Sequence, residues 1–373
     1  MKVVLWGTYD TGKPRIRILL RGLKENGVEV IECHNEVWGG IDDKSQVRGL
    51  FNKLRLVVRW LFAYPMLIFR YMQLPQHDVV LIGYMGQLDV LMLWPFAKVR
   101  GVPVVWDAFL SLYNTVVEDR RMVSARNPLA NLLWLWEWMA CRLADLVLLD
   151  TRIHADYFVE TFHIPKSKTA AVFVGAEPEA FPVTSEQALK VKKIPIVLFY
   201  GQFIPLHGIE TIIQAARAAR EEVIDWVIIG SGQEAGYIKA LIDVDSIPRL
   251  NWIPWVNYVE LSDWISRSTV CLGIFGDTNK AARVIPNKVF QILMSGKPLV
   301  TLDSIAMREL VVSNQSGIWL VPAADPDALL VAVREAINQP TPVDLHAELR
   351  GIISPLAIGA ELLNYLKFTI ESR

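Results

Sequence analysis

The sequence predicts an α/β protein built from two consecutive domains, each a doubly wound parallel sheet. The 373 residues exceed one ordinary domain and suit two of roughly 150 to 200 residues. Short apolar, β-branched runs alternate with longer amphipathic stretches, the pattern of a parallel sheet covered by helices on both faces. The alternation starts afresh after residues 176–194, which are rich in Pro, Glu, Ser and Lys and lack apolar periodicity. That stretch reads as a linker.

In the first series, strands are expected at Val3–Trp6, Val28–Cys33, Val79–Tyr84, Val104–Trp106, Leu146–Asp150 and Ala171–Val174. In the second they are expected at Ile196–Tyr200, Trp226–Ile229, Arg249–Ile253, Val270–Ile274, Leu299–Leu302 and Ile318–Val321, with helical segments such as Gly208–Arg220 between them. The domains are accordingly 1–175 and 195–354. Ligands of open α/β sheets sit beyond the carboxyl ends of the strands, so the two domains are expected to face each other across a cleft lined by strand-end loops.

Composition narrows the function. With 52 % apolar and 21 % charged residues the chain is a packed globular enzyme by composition. A net charge of -1 offers no basic stripe, and nucleic acid is not an expected partner. Cys33, Cys141 and Cys271 are few, odd in number and far apart, so neither a disulfide framework nor a metal site is expected. Met1–Trp6 runs directly into a strand without a signal-peptide pattern. The longest apolar runs, such as Trp60–Phe69, fall short of the roughly 20 residues of a spanning helix. A cytoplasmic setting is expected.

Gly7-Thr8-Tyr9-Asp10-Thr11-Gly12-Lys13-Pro14-Arg15 nearly spells a Walker A loop, but Pro14 stands where a Ser or Thr hydroxyl would hold magnesium. Pro14 suits the first turn of a helix, which would leave Thr8, Gly12, Lys13 and Arg15 in an anion-receiving substrate loop. Asp107, just after a strand, is expected either to cap the next segment or to act as a catalytic carboxylate beside the reacting centre. Gly230-Ser231-Gly232 lacks the spacing of a dinucleotide fingerprint, and Asp243-Val244-Asp245 reads as a solvated helix end.

The most informative string is Cys271-Leu272-Gly273-Ile274-Phe275-Gly276, then Lys280, Arg283, Pro286-Asn287-Lys288-Val289-Phe290-Gln291 and Gly296-Lys297-Pro298. A strand opens into a glycine-containing loop, and cations precede a helix that Gly296 closes. Such an arrangement can cradle a diphosphate.

At this string the chain resembles the family-4 glycosyltransferases of the GT-B fold, and the resemblance extends over nearly the whole length. Gly201-Gln202-Phe203-Ile204-Pro205-Leu206-His207-Gly208 looks like the loop that opens the donor domain; Asp150-Thr151 with Phe173-Val174-Gly175-Ala176 looks like the passage toward the linker. Asp107-Ala108-Phe109 and the Gly7 loop look like parts of the acceptor domain. The resemblance implies two Rossmann-like domains: an N-terminal acceptor domain and a C-terminal nucleotide-sugar domain. A last helix near Leu356–Phe368, within residues 355–373, would pack back on the first. It places donor contacts at Gly201, Gln202, His207, Gly208, Phe275, Gly276, Arg283, Asn287, Lys288 and Gln291. It also implies sugar transfer from a nucleotide-sugar donor to an acceptor hydroxyl on a sugar or lipid-linked polysaccharide precursor, with retention and without a metal or other cofactor.

The chain departs from the family at several of these positions. A Glu-x7-Glu pair is frequent there, and Arg283 and Gln291 occupy the matching positions; Gln202 and His207 stand where Arg and Lys are frequent. An altered donor site is expected, with Arg283 and Lys288 on the phosphates and Gln291 on the ribose. Alternatives are a non-catalytic binding subunit of the same fold, a GT-B sugar-nucleotide epimerase, and a P-loop hydrolase.

Residues 44–77 contain no Asp or Glu. Helical spacing puts Lys44, Arg48, Arg55 and Arg59 on one face and Leu50, Leu54, Val57 and Leu61 opposite. The segment 44–71 is therefore expected to seat its basic face on an anionic membrane, at the cytoplasmic side, or to hold a lipid pyrophosphate, or else to pack its apolar face on the sheet and leave the basic face in solvent. Trp134, Trp136 and Trp138 are read as core or interface residues rather than a cofactor box.

Overall fold

The computed structural model describes residues 1–37, 50–183, 194–311, 315–342 and 344–372, with side chains throughout except at 50–57. The chain divides into two compact units, Met1–Phe173 with Pro355–Arg373, and Val174–Ser354.

The first unit contains β1 (Lys2–Gly7), α1 (Pro14–Glu25), β2 (Glu29–His34), α2 (Leu50–Gln73), β3 (Val79–Ile82), α3 (Gln87–Arg100), β4 (Val104–Asp107), α4 (Pro128–Leu143), β5 (Leu146–Leu149), α5 (Arg152–Phe162) and β6 (Thr169–Ala171). Its strands are parallel in the order β2-β1-β3-β4-β5-β6. The order reverses between β1 and β3, which creates a ligand crevice at their carboxyl ends. Alternate strand residues, including Val4, Trp6, Ile82, Val104, Trp106 and Val147, form one core with Tyr64, Leu67 and Tyr71 of α2, Val90 and Leu93 of α3, and Ala140 and Cys141 of α4. Helices α2, α3 and α4 therefore lie on one face of this sheet, each in contact with the next.

The second unit contains β7 (Ile196–Tyr200), α6 (Ile209–Ala218), β8 (Asp225–Ile229), α7 (Ala235–Val244), β9 (Leu250–Ile253), α8 (Tyr258–Arg267), β10 (Val270–Leu272), α9 (Asn287–Met294), β11 (Leu299–Leu302), α10 (Met307–Leu310), β12 (Ile318–Val321), α11 (Pro326–Asn338) and α12 (Ala347–Ile352). Its order is β12-β11-β10-β7-β8-β9, all parallel. The reversal falls between β7 and β10.

Helix α13 (Pro355–Glu371) belongs to the first unit and packs on α1. The two helices meet at Gly22 and Gly359, where a Cβ on Gly359 would lie 2.1 Å from the Gly22 carbonyl carbon. Only glycine at both positions allows backbones this close.

Each expected strand has its counterpart, with one displacement. β6 covers 169–171 rather than 171–174, because its pairing with β5 runs from Val147↔Thr169 to Leu149↔Ala171. The expected linker is shorter than its composition implied. Ala176 N–H donates to Ile353 O at 3.1 Å, Ser262 Oγ donates to Ala180 O at 2.7 Å, and Phe181 packs edge-on against Tyr258. Residues up to 183 are thus domain structure; 184–193 lie outside the described residues.

Candidate functional site

In the second unit, the loops after β7 and β10 meet at the point where the sheet order reverses. Phe275 N–H donates to His207 O at 3.1 Å and Gly276 N–H to Leu206 O at 3.3 Å, locking the loops together. Gly208 sits at φ 61°, and a Cβ there would lie 2.5 Å from the Phe275 carbonyl carbon. Phe203 N–H donates to Ser231 O and Gly230 N–H to Ile253 O, so the Gly230-Ser231-Gly232 turn is part of this backbone weave.

Lys288, on the first turn of α9, is the notable side chain here. It is buried, and its Nζ has no hydrogen-bond partner. The ammonium lies 3.7 Å from the centroid of the Phe199 ring, and a Cβ on Gly201 would come within 2.9 Å of it and 3.1 Å of His207 Cε1. Burial lowers its pKa well below the usual lysine value. A cation left without a carboxylate in such a place is costly unless something binds it. The amide N–H groups at the start of α9 have no side-chain cap, so they and Lys288 together form an electropositive point.

The structure thus gathers Gly201, His207, Gly208, Phe275, Gly276 and Lys288. His207 bonds through Nδ1 to the Gln202 carbonyl oxygen, while Gln202 is exposed. Asn287 opens α9 beside Lys288. Arg283 Nε donates to Asn279 O at 2.9 Å, and Gln291, one turn after Lys288 on α9, accepts at Oε1 from Tyr200 Oη–H at 3.0 Å. The neighbouring Lys297 and Lys280 are buried, with Lys297 Nζ donating to Ser266 and Ser268 carbonyls. Asp245 pairs with Arg217 and Arg220 at the end of α7, as a solvated helix end should. A groove of about 580 Å³ lined by Asp225, Arg249, Trp264 and Arg267 lies at the other, amino end of β7–β9, where an Arg249–Asp225 ion pair spans 2.8 Å.

The first unit corrects two sequence expectations. Asp107 neither caps a helix nor reaches solvent. It ends β4 at 0 % exposure and pairs with Arg15, whose Nη2 lies 2.7 Å from Asp107 Oδ1 and whose Nε lies 3.1 Å from both carboxylate oxygens. Arg15 Nη1 also donates to Val172 O at 2.5 Å, so Arg15 is a buried strut between β4 and the segment after β6 rather than a substrate-loop cation. The physical reason is register: Pro14 does open α1, and the next residue on that first turn faces the sheet. Asp10 fills the turn meant for an anion, accepting from Gly12 N–H at 2.9 Å with Lys13 Nζ at 3.8 Å.

Two buried carboxylates were not singled out in the sequence. Asp89 of α3 accepts from Thr8 N–H at 2.8 Å, Thr8 Oγ–H at 3.1 Å and Tyr64 Oη–H at 2.7 Å, tying the β1–α1 loop to α2 across the crevice. Glu137 of α4 accepts from Ser111 Oγ–H and the Leu112 and Tyr113 amides, fixing the chain after β4, and from Gln87 Nε2. Burial raises both pKa values, against the hydrogen bonds that favour the charged forms. The available signal was a lone acid in an otherwise apolar helix, Asp89 in Leu88–Leu93 and Glu137 between Trp136 and Trp138. Trp134 and Trp138 stack at 6.2 Å and pack against the core.

Two doubly wound domains, the second carrying an electropositive point at its switch crevice, define the GT-B class. Residues 194–339, which span the second domain's sheet, match the family described as glycosyl transferases group 1. A probable glycosyltransferase, WbjE, from Pseudomonas aeruginosa is 24 % identical over 204 residues, 52 % of this chain and 49 % of that protein. The match thus spans about half the length of this curated relative. Sucrose-phosphate synthase from Thermosynechococcus elongatus superposes with a TM-score of 0.73 at 16 % identity, covering 100 % of both chains. HepE from Anabaena in complex with UDP-glucose superposes at 0.65 with 14 % identity, covering 99 % of this chain and 100 % of that one. These structures share the GT-B fold.

Proposed function

We propose that the chain transfers a sugar from a nucleoside diphosphate donor to an acceptor hydroxyl, with Lys288 as the cation that meets the diphosphate. The observation that carries this reading is the buried Lys288 ammonium without a hydrogen-bond partner beside Gly201 and His207. The group 1 match over the same domain and the UDP-glucose bound to HepE support a nucleotide-sugar donor. In the transfer, the bond between the anomeric carbon and the diphosphate oxygen breaks as the bond to the acceptor oxygen forms, and the acceptor's proton passes to the departing diphosphate or to water. Negative charge grows on the leaving diphosphate. Lys288 and the uncapped α9 amides would stabilise it, a preorganised arrangement that needs no rearrangement during the reaction.

In this reading the loop held by Asp89 at the first crevice takes the acceptor, a sugar or lipid-linked precursor. Reaction with retention and without a divalent metal belongs to the same proposal. Incubation with a panel of nucleotide sugars and analysis of the released diphosphate and the product anomer test it. Transfer that survives excess chelator and keeps the donor's anomeric configuration is expected. Strict dependence on magnesium or manganese would overturn the role given to Lys288, and an inverted product would overturn retention.

A further inference from the structure

Of the basic face that the sequence pattern implied for α2, Arg59 alone has a described side chain. Lys44 and Arg48 lie outside the described residues, as do the side chains of Lys53 and Arg55. Arg59 turns inward and donates to Val37 O at 3.0 Å. What α2 presents instead is Leu61, Phe62, Met66 and Phe69, with Phe62 77 % and Phe69 63 % exposed. The same layer continues through Val99 of α3, 82 % exposed, and Leu132 of α4, 60 % exposed.

Among the described residues of these three helices no carboxylate is exposed, because Asp89 and Glu137 are both buried. Arg70, Lys98 and Arg142 are the exposed cations among the apolar positions. We infer that the outer face of α2, α3 and α4 inserts shallowly into a lipid bilayer containing anionic headgroups. Large unpaired apolar side chains gain by entering the acyl boundary, while long cationic side chains reach phosphates at its edge. A second copy of the chain suits this face less well. Symmetric pairing over α2, α3 and α4 would bring together cations for which these three helices offer no exposed carboxylate. No described helix is long and apolar enough to cross a membrane, so the contact is one of lying on the surface.

The test is flotation of the full chain with vesicles of phosphatidylcholine alone or mixed with phosphatidylglycerol, in low and high salt. Wild type is expected to float with the mixed vesicles and to remain partly bound in high salt, since apolar insertion is not screened. Phe62→Ser with Phe69→Ser should lower partitioning by roughly ten-fold or more while leaving the melting temperature and nucleoside diphosphate binding unchanged. Three outcomes would overturn the inference: no flotation of wild type, equal flotation of the double variant, or a lipid-free dimer in sedimentation velocity that the double variant dissociates. Donor binding is measured separately, so loss of the membrane inference leaves the donor reading standing.

Discussion

Arg15 Nη2 lies 2.7 Å from Asp107 Oδ1, and both side chains are almost wholly excluded from water. A buried pair of this kind contributes little relative to an apolar replacement, but removing one partner leaves an uncompensated charge.

Asp107→Asn should therefore cost about 3 to 5 kcal/mol of stability, read by urea or thermal denaturation. A joint Arg15→Met, Asp107→Leu variant should recover much of that loss, because neither charge is then stranded. If Asp107→Asn melts like wild type while turnover collapses, Asp107 acts at the reacting centre and the structural account fails.

Lys288→Met should shift stability and binding in opposite directions. Replacing a buried ammonium that has no hydrogen-bond partner with an apolar chain of similar length removes a burial cost, so the melting temperature should rise or hold. Nucleoside diphosphate affinity should fall by roughly ten-fold to a hundred-fold, the loss of one charge-assisted contact. Calorimetry and thermal melts on one sample check both. Unchanged affinity would sink the donor-site assignment.

Proton uptake gives an independent check on the same lysine. Burial holds the Lys288 pKa well below its usual value, and a bound diphosphate would raise it again. Between those two values the complex holds more protons than the free protein, so binding takes up protons and apparent affinity falls as pH rises. Titrations in buffers of different ionisation enthalpy should show this uptake in wild type and not in Lys288→Met.

His346 should make the second domain sensitive to acid. It is buried at φ 64°, its Nε2 bonds to Lys297 O at 3.0 Å, and Nδ1 has no hydrogen-bond partner. Burial is the main cause that pushes its pKa down to about 4. Its contribution is fully present above the unfolded histidine value near 6.5 and is lost as pH falls from there through 4, up to roughly 3 kcal/mol. His346→Asn, which tolerates a positive φ, should flatten the stability profile over that window. A profile as steep as that of wild type would place the acid sensitivity elsewhere.

The parallel sheets were legible in the sequence because buried strands are short, continuous and apolar; β7 and β11 fall at Ile196–Tyr200 and Leu299–Leu302, as read. Local chemistry also fixed Pro14 as the start of α1, and the Gly201 and Gly276 loops as strand-end features. The partners of charged side chains were not legible, because they come from distant segments. Arg15 finds Asp107 92 residues away and Thr8 finds Asp89 81 residues away. Periodicity divided α2 into an apolar and a basic face but could not say which faces the sheet. Packing of Tyr64, Leu67 and Tyr71 into the core decided that, turning Phe62 and Phe69 outward. Likewise the sequence supplied Lys288 and Arg283 for the phosphates and Gln291 for the ribose. Only the tertiary structure shows their surroundings, with Arg283 bonded to Asn279 O, Gln291 to Tyr200, and Lys288 buried without a hydrogen-bond partner, because these depend on how β7 and α9 pack.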